Sequence, residues 1–351
     1  MVICFNASNE AQKALDRLLS TGRYADLNAL LSAAVTNLAV IDEAVSRGGG
    51  MTLPSPTAIK TAPVEPTVVT APQPSQIPAI FTRPNEAVDA RGFTMPNPAA
   101  DISMVFDPST WFWGQFNKLL PVKATCRGLF NVLAEDNTTN TLVASQKVTA
   151  NAALLGKFLR DIDDARKHGR EDSFSSAFPS HLPNNEKSLV RFSEQFVFSN
   201  GSFPLELGLI AFADETHKSV RLTEAGATFA RQENPLLDGD AYNATQKFGE
   251  QELQFLRDHI AAQVPAERAA QKTILSAIKE GANNPDALDS FLRQRFPSVN
   301  TAKPSFLATQ RSGVIARASD LGFLRRRREG IRVFYDLTDN ARTFLSQIEK
   351  S

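Results

Sequence analysis

The chain is poor in the residues on which disulfide-stabilised and membrane-spanning folds depend. Its 351 residues include only two cysteines, Cys4 and Cys126, which are too far apart for a CxxC zinc site and too few for a disulfide framework. No apolar run approaches the roughly 20 residues that cross a bilayer, and no secretion signal is recognisable at the N-terminus. We therefore expect a soluble, cytoplasmic protein without a membrane partner.

Motifs of catalysis and of cofactor binding are also missing. The sequence contains no GxxxxGK[ST] phosphate loop, no GxGxxG segment after a strand and no HExxH zinc motif, and its four histidines are scattered over residues 168–259. Three carboxylates, Asp161, Asp163 and Asp164, lie in a predicted helix beside arginines, where a solvated helix surface explains them better than a metal-dependent nuclease site. We predict no enzyme activity, no cofactor and no metal site.

Charge of either sign is not in excess, since 38 lysines and arginines balance 38 aspartates and glutamates. That balance excludes a general nucleic-acid coat, which needs a cationic surface nearly everywhere. Against this neutral background stand four consecutive arginines, Arg325, Arg326, Arg327 and Arg328, followed by Arg332. A local excess of positive charge indicates phosphate binding, although a solvated face, an RNA contact or a salt-bridge cluster would use the same residues.

Proline divides the chain into parts. Residues 48–98 hold half of the 20 prolines and show neither helical nor strand periodicity. We predict a flexible linker over residues 50–100, which as a coil would reach about 40 Å at roughly 5–6 Å × √n. An aromatic cluster follows, and we expect it to be core; anchoring the end of the linker to the first winged helix and docking a partner are the alternatives. Its members are Phe106, Trp111, Phe112, Trp113 and Phe116.

The first 47 residues follow the order strand, helix, turn, helix. Residues 2–5 are β-prone, Ser8 can cap a first helix, and Asp26 can cap a second that continues to about residue 45. This order and the segment Ser-Thr-Gly-Arg-Tyr-Ala-Asp at 20–26 resemble the ribbon-helix-helix family of bacterial antitoxins and repressors. The resemblance implies a homodimer over residues 1–49, with dimerisation through Val2, Ile3, Phe5, Leu30, Leu31, Val35 and Leu38.

The predicted ribbon departs from the members of that family that bind DNA. Those members usually present Lys, Arg, Gln or Asn to the base edges in the major groove. Here only Asn6 could do so, because residues 2–5 are Val-Ile-Cys-Phe. We expect this module to serve dimerisation alone, and a helical hairpin that only looks like the family is the alternative.

An internal repeat is the strongest organisational feature of the remaining sequence. Leu-Gly-Leu-Ile at 207–210 followed by Leu-Thr-Glu-Ala-Gly-Ala-Thr-Phe at 222–229 matches Leu-Gly-Phe-Leu at 321–324 followed by Leu-Thr-Asp-Asn-Ala-Arg-Thr-Phe at 337–344. Both copies predict a helix end, a β-hairpin and a helix that begins after the threonine. The pattern resembles prokaryotic winged-helix regulators, in which Leu-Gly closes the recognition helix and the hairpin is the wing.

The predicted fold class is therefore mainly α with small β-hairpins. It comprises the ribbon-helix-helix dimer module, the proline-rich linker, a first winged helix over 101–240 and a second over 241–351. In the first winged helix we predict helices over 121–135 and 149–168, with 186–198 as recognition helix. In the second we predict helices over 251–263, 265–279 and 285–295, with 304–320 as recognition helix.

Charge distinguishes the two predicted winged helices. Residues 303–335 carry eight lysines and arginines against two carboxylates, whereas residues 182–232 carry five against six, with Asp214 and Glu215 at the first wing tip. The phosphate backbone repels an acidic wing, whereas the planar guanidinium of arginine binds phosphate. We predict that the second winged helix binds duplex DNA. The residues predicted for this contact are Ser305, Thr309, Gln310, Arg311, Arg317, Arg325, Arg326, Arg327, Arg328 and Arg332.

These features together predict a dimeric, nucleoid-associated DNA-binding protein of bacterial type, with transcriptional regulation as its role. The first winged helix would serve packing or bind a protein partner. A plasmid-type replication initiator or partition protein is one alternative, since tandem winged helices also resemble those initiators. A non-catalytic adaptor subunit of a defence complex, with winged helices as protein-binding surfaces, is the other.

Overall fold

The structure, a computed structural model, describes residues 76–85, 114, 116–136, 140–166, 173–179, 186–199 and 201–349. Every described residue belongs to one compact unit, Pro72–Ser351. The predicted ribbon-helix-helix module with its seven dimerisation residues lies outside the described residues. So do most of the predicted linker and the aromatic cluster apart from Phe116.

The described part of the chain is mainly helical and contains two small antiparallel hairpins, as the sequence predicts. In its first half, up to residue 240, the elements are α1 (Leu120–Asp136), α2 (Thr141–Arg166), α3 (Glu186–Phe196), α4 (Phe203–Glu206), β1 (Ile210–Phe212), β2 (Val220–Leu222) and α5 (Glu224–Arg231). In its second half they are α6 (Glu250–Gln263), α7 (Pro265–Lys279), α8 (Pro285–Arg295), α9 (Pro304–Asp320), β3 (Leu324–Glu329), β4 (Arg332–Leu337) and α10 (Asp339–Glu349). Within the described ranges, no helix combines the length and the apolar character needed to cross a membrane.

Local sequence signals set the helix starts in the second half. Proline occupies the first turn of α7, α8 and α9, where its missing N–H costs no hydrogen bond. The Asn284 side chain accepts a hydrogen bond from the Ala287 amide at 3.0 Å and caps α8. The predictions for these three helices are confirmed.

The repeated Leu-Gly motif ends a helix in the same way in both halves. Gly208 and Gly322 have φ values of +65° and +72°, a left-handed conformation that costs glycine little. In the first half the Leu209 amide donates to the Pro204 carbonyl at 3.0 Å, and in the second the Phe323 amide donates to the Ala318 carbonyl at 2.8 Å. These bonds close the same six-residue Schellman turn twice.

The repeated threonine ties each hairpin to the helix end that precedes it. Thr223 donates its hydroxyl to the Gly208 carbonyl at 2.8 Å, and Thr338 donates to the Gly322 carbonyl at 2.7 Å. The same hydroxyls accept from backbone amides in the first turns of α5 and α10, at 3.0 and 3.3 Å. The internal repeat is therefore a structural repeat, in which one side chain joins helix end, hairpin and next helix.

A single helix, α6, holds both repeated junctions. His259 lies 2.7 Å from the Leu207 carbonyl at the first junction, and Arg257 donates to the Leu321 carbonyl at 3.1 Å at the second. Burial lowers the pKa of His259, which favours its neutral form beside this carbonyl. Because both side chains project from one rigid helix, the two junctions are fixed relative to each other.

The first half differs from the prediction at its recognition-helix candidate. The helix that begins at Glu186 ends at Phe196, and the Leu-Gly motif closes α4, a separate single turn. No continuous helix joins α3 to α4, because Gly201 has a left-handed φ of +76° and Pro204, in the first turn of α4, has no N–H to donate to a preceding turn. The prediction that a helix over 186–198 precedes the first hairpin directly is therefore wrong, whereas α9 runs without a break to the second.

The two halves share one hydrophobic core, which extends from Phe81 to Ile348. Buried polar contacts also join them: the Lys123 ammonium lies 2.7 Å from the Glu252 carboxylate, with both side chains fully buried. The Leu119 amide donates to the Asp320 carboxylate at 3.1 Å. The predicted border at residues 240 and 241 therefore passes through a packed interior.

One part of the predicted linker is folded. Residues 76–85 lie against the first half, with a 3-10 turn at Ala79–Phe81 and with the Phe81 side chain fully buried. Apolar side chains of this segment, including Ile77 and Ile80, pack against the core. The prediction of a flexible linker over 50–100 is wrong for these ten residues, because apolar side chains that lie between the prolines of this segment pack into the core.

Candidate nucleic-acid interface

The second hairpin, β3 with β4, projects the arginine run from the body of the protein, and we call it the basic hairpin. Its register pairs Arg325 with Asp336 and Glu329 with Arg332, which leaves a two-residue turn at Gly330 and Ile331. Gly330 has φ +60° at the first turn position, as a type II′ hairpin turn requires. The turn therefore fixes the register and places Ile331, which is fully exposed, at the tip.

The arginines lie on both faces of the basic hairpin because successive strand residues alternate. Arg325 and Arg327 share one face, Arg326 and Arg328 share the other, and all four are exposed. Tyr335 on the second face is buried, and its amide donates to the Asn283 carbonyl at 2.8 Å. The base of the hairpin is thus anchored to the body while its outer part presents positive charge in two directions.

Part of this charge is neutralised within the hairpin. Arg327 forms ion pairs with Glu329 and, at 3.2 Å, with Asp336, and the hydrogen bond that Arg327 donates to Asp336 is the main cause that raises the pKa of Arg327. The side chains of Arg325 and Arg332 make no hydrogen bond or ion pair with any residue that the structure describes. Five arginines against two carboxylates leave the basic hairpin net positive.

The first hairpin, β1 with β2, has the same junction but a different charge. At its tip, Asp214 accepts hydrogen bonds from the Thr216 hydroxyl at 2.5 Å and from the Ser219 amide at 2.6 Å. These bonds, led by that of Thr216, lower the pKa of Asp214 and keep it ionised. The first hairpin therefore carries a fixed negative charge where the basic hairpin carries arginines.

The exposed face of α9 lies directly before the basic hairpin in the chain. Ser305 and Thr309 are exposed as predicted, and the Thr309 hydroxyl donates to the Ser305 carbonyl at 2.8 Å. Ser312 and Ser319 are also exposed, and helical spacing places them on the same face. The outward face of α9 is therefore a line of short hydroxyl side chains.

Three predicted DNA-binding residues of α9 are instead buried, and the prediction is wrong for them. Gln310 accepts a hydrogen bond from the Gly114 amide at 2.9 Å, and Arg311 forms an ion pair with Asp289 at 2.6 Å. Arg317 is fully buried, and its Nε and Nη2 atoms each donate a hydrogen bond to the Glu267 carboxylate at 2.8 Å. None of these side chains is available to bases or phosphates.

The cause of this burial is a distant stretch of chain. Gly114 and residues 116–119, which precede α1, cover the face of α9 that carries Gln310, Gly313 and Arg317. A Cβ atom at Gly313 would lie 2.5 Å from the Gly114 carbonyl oxygen, so this crossing requires glycine. Helical periodicity alone assigns this face to solvent, because it does not include chain segments 200 residues away.

A groove of about 710 Å³ runs beside the base of the basic hairpin. It is lined by Arg325 and Arg326 of β3, by the C-terminal end of α9 and by two lysines that the sequence analysis did not single out, Lys118 and Lys247. Lys247 lies 3.4 Å from Asp320, so its charge is partly compensated. No local signal links these lysines to the arginine run, since only folding brings them to the same groove.

Of the three neighbouring carboxylates Asp161, Asp163 and Asp164, Asp163 has a structural role. Asp163 accepts hydrogen bonds from the Ser173 hydroxyl at 2.6 Å and from the Phe174 and Ser175 amides at 2.8 and 2.9 Å. Burial acts to raise the pKa of Asp163, but these hydrogen bonds outweigh it and lower the pKa. Over the described residues, no group of three or more His, Cys, Asp or Glu side chains is arranged to hold a metal ion.

The candidate interface consists of the basic hairpin together with the exposed hydroxyl face of α9. Its exposed members among the predicted residues are Ser305, Thr309, Arg325, Arg326, Arg327, Arg328 and Arg332. No protein-family model matches the chain, and comparisons with curated proteins and with solved structures find no match.

Proposed function

We propose that this chain is a dimeric DNA-binding protein that regulates transcription in the bacterial cytoplasm and binds duplex DNA through its second half, as a winged helix. The observation that carries the proposal is the contrast between the hairpins. Both hairpins start at a Leu-Gly helix end and finish at a threonine that bonds back to it, but only the second hairpin presents five arginines. Arginines that the junction itself required would occur in both hairpins. Because they occur in only one, we infer that they bind an external ligand.

The geometry of the basic hairpin suits a nucleic-acid backbone. Arginine binds phosphate with two parallel hydrogen bonds, and the side chains of Arg325 and Arg332, which make no ion pair within the described part of the chain, can do so. Arginines on both faces match a hairpin placed between the two phosphate rows that border a minor groove. In the same arrangement, Ser305 and Thr309 of α9 would contact base edges in the major groove.

The remaining parts of the chain have supporting roles in this proposal. The N-terminal module would pair two chains, and the pair would bring two basic hairpins to one DNA site. The effective concentration of the second hairpin then reaches the millimolar range when the tether spans the two half-sites. The first half, with its ionised Asp214 at the hairpin tip, would face away from DNA and contact a protein partner or the body itself.

The direct test is the salt dependence of duplex binding by the full-length chain. Each phosphate contact contributes about −0.9 to the slope of log K against log salt concentration, so the double variant Arg325→Ala/Arg332→Ala should reduce that slope by about 1.8 units. Lys218→Ala, which removes one exposed cation from the first hairpin, is the control and should leave the slope unchanged. Fluorescence anisotropy with a labelled duplex between 50 and 300 mM salt gives both values.

An unchanged slope in the double variant would contradict the proposal. If charge reversal at all four consecutive arginines also left affinity unchanged, the adaptor role would take its place. A replication initiator is the second candidate, favoured by the packing of two repeats of unequal charge into one body. In that role the first repeat would support the second, which would bind DNA. Footprints on iterated direct repeats, in place of a palindrome, would identify that role.

A further inference from the structure

The two-residue turn of the basic hairpin places an isoleucine where such turns usually carry a polar residue. Gly330 has φ +60° at the first turn position, and in hairpin turns of this kind Asn, Asp or Ser normally follows the glycine. Ile331 occupies the second position instead, and it has no polar side-chain atom with which to stabilise the turn. Departures from local sequence rules are expected at functional positions.

Burial in the fold does not account for Ile331. Its side chain is fully exposed, whereas Leu142, the next most exposed large apolar side chain of the described residues, is 66% exposed. A single exposed apolar residue is common on protein surfaces and needs no explanation by itself. Ile331 differs because it lies at the tip of an element that carries five arginines.

Positive charge flanks the tip on both strands. Arg332 follows the turn directly and pairs with Glu329, while Arg328 pairs with Val333, so the two arginines lie on opposite faces of the hairpin. Glu329, the carboxylate nearest the turn, is compensated by its ion pair with Arg327. An apolar tip between arginines is complementary to stacked bases that lie between two rows of phosphates.

The exposed part of the hairpin is long enough to reach the floor of a DNA groove. Tyr335 is buried against the body, and Ile331 lies four residues away along the strand, about 13 Å at roughly 3.3 Å per residue. The minor groove is about 7.5 Å deep, so the tip can touch base pairs while the base of the hairpin stays anchored. Its width of about 6 Å is too small for two strands about 4.8 Å apart with arginines on both faces. The hairpin therefore requires a minor groove that has been opened.

We propose that Ile331 inserts between two stacked base pairs from the minor groove and kinks the duplex at that step. This inference rests on the proposed binding of DNA by the basic hairpin and adds DNA bending to it. An inserted apolar side chain partly unstacks one base step and bends the duplex by roughly 20–90° toward the major groove, which widens the minor groove for the hairpin. Pyrimidine–purine steps such as TA unstack most easily, so we expect the chain to favour them without hydrogen bonds to their bases.

Binding and bending are measured with the full-length chain and two duplexes of the same sequence. Both carry a donor and an acceptor fluorophore at their ends, and one has a one-nucleotide gap at its centre. Binding of the native chain should increase energy transfer across the intact duplex, because a kink brings the ends closer. The gap removes stacking at one step in advance, so the native chain should bind the gapped duplex about tenfold more tightly.

Ile331→Asn is the decisive variant, because asparagine suits this turn position and the change leaves every arginine in place. The variant should bind intact duplex with the salt dependence of the native chain, but it should lose both the increase in energy transfer and the preference for the gapped duplex. Ile331→Leu should keep both. Leu142→Asn, at an exposed residue of the first half, is the matched control and should behave as the native chain.

The outcomes separate the insertion from DNA binding itself. Absence of salt-dependent duplex binding by the native chain would contradict both. Salt-dependent binding without bending, or bending and gap preference that persist in Ile331→Asn, would overturn the insertion alone. Weaker binding of Ile331→Asn to vesicles of anionic lipid, with its duplex bending unchanged, would assign the tip to a membrane surface and overturn the insertion as well.

Discussion

Two buried cations, Lys123 and Arg317, join the halves of the molecule at the scale of single residues. The Lys123 ammonium contacts the Glu252 carboxylate and donates to the Phe229 and Gln232 carbonyls at 2.5 and 2.8 Å. Arg317 pairs with Glu267 within the second half and donates to the Phe116 carbonyl of the first. Buried charges of this kind stabilise a fold only when every donor and acceptor has a partner.

Loss of the Arg317 side chain should destabilise the whole protein. Arg317→Ala leaves the Glu267 carboxylate buried without its partner, and we expect a loss of about 3–5 kcal/mol in the free energy of unfolding. The double variant Arg317→Met/Glu267→Leu should lose less, because it leaves no unpaired charge. Urea denaturation measures both, and a loss below about 1 kcal/mol for Arg317→Ala would place this residue on the surface after all.

Stability should rise with pH in alkaline solution because of Lys123. Burial lowers the pKa of Lys123 to about 8 from 10.5 and also raises the pKa of Glu252. Between pH 8 and 10.5 the unfolded chain therefore holds more protons at this lysine than the folded chain, so the free energy of unfolding increases with pH. Below pH 8 the cost of burying the charged ammonium is fully present.

The measurement is a comparison of native protein with Lys123→Met in chemical denaturation at pH 8, 9 and 10. The difference in stability between the two proteins should change in favour of the native protein across this window. A constant difference would show that Lys123 titrates at the same pH in the folded and unfolded chains.

At the scale of elements, the repeated threonine junction organises both halves. Each junction uses one hydroxyl as donor to the preceding helix end and as acceptor from the following helix. Because α6 contacts the Leu207 and Leu321 carbonyls of these junctions, the hairpins project from a common base. Loss of either hydroxyl should therefore destabilise the body and not only one hairpin.

Thr223→Val and Thr338→Val test the junctions with nearly unchanged side-chain volume. Each should reduce the free energy of unfolding by about 1–2 kcal/mol, the usual cost of losing a helix cap with a partly buried partner. Thr309→Val, at an exposed hydroxyl of α9, is the matched control and should stay within about 0.5 kcal/mol of the native protein. Equal values for all three variants would contradict a structural role for the repeat.

At the scale of the whole molecule, the second half depends on the first. Gln310 and Arg317 of α9 use backbone groups of Gly114 and Phe116, and Glu252 of α6 uses Lys123. A separate domain over 241–351 would lose these contacts and would expose the apolar surface that the first half covers. The structure thus shows one compact unit, Pro72–Ser351, where the sequence predicts two winged-helix domains.

Truncation checks this dependence. A chain of residues 72–351 should unfold in a single cooperative transition, because its core is continuous. A chain of residues 241–351 should lose several kcal/mol relative to that transition, since three buried contacts are broken at once. Near-UV circular dichroism and thermal melts distinguish the outcomes, and a sharp, native-like transition in the shorter chain would contradict the fused body.

Local signals in the sequence were sufficient for most of the described elements. Asn284 and the prolines that begin α7, α8 and α9 fix helix starts through backbone chemistry within one turn. The Leu-Gly motif predicts both helix ends for the same reason. The buried faces of α9 were only partly predicted, because burial of Gln310 depends on residue 114, almost 200 positions earlier.

The sequence by itself determined most of the helices and both hairpins of the described region, the repeat and the location of the arginines in one of two hairpins. All three depend on interactions within a few residues, which a linear pattern records. Only the tertiary structure decided that Arg317 is a buried partner of Glu267 and that part of a proline-rich stretch docks on α1. These depend on contacts between distant segments, where burial and charge pairing in three dimensions outweigh local periodicity.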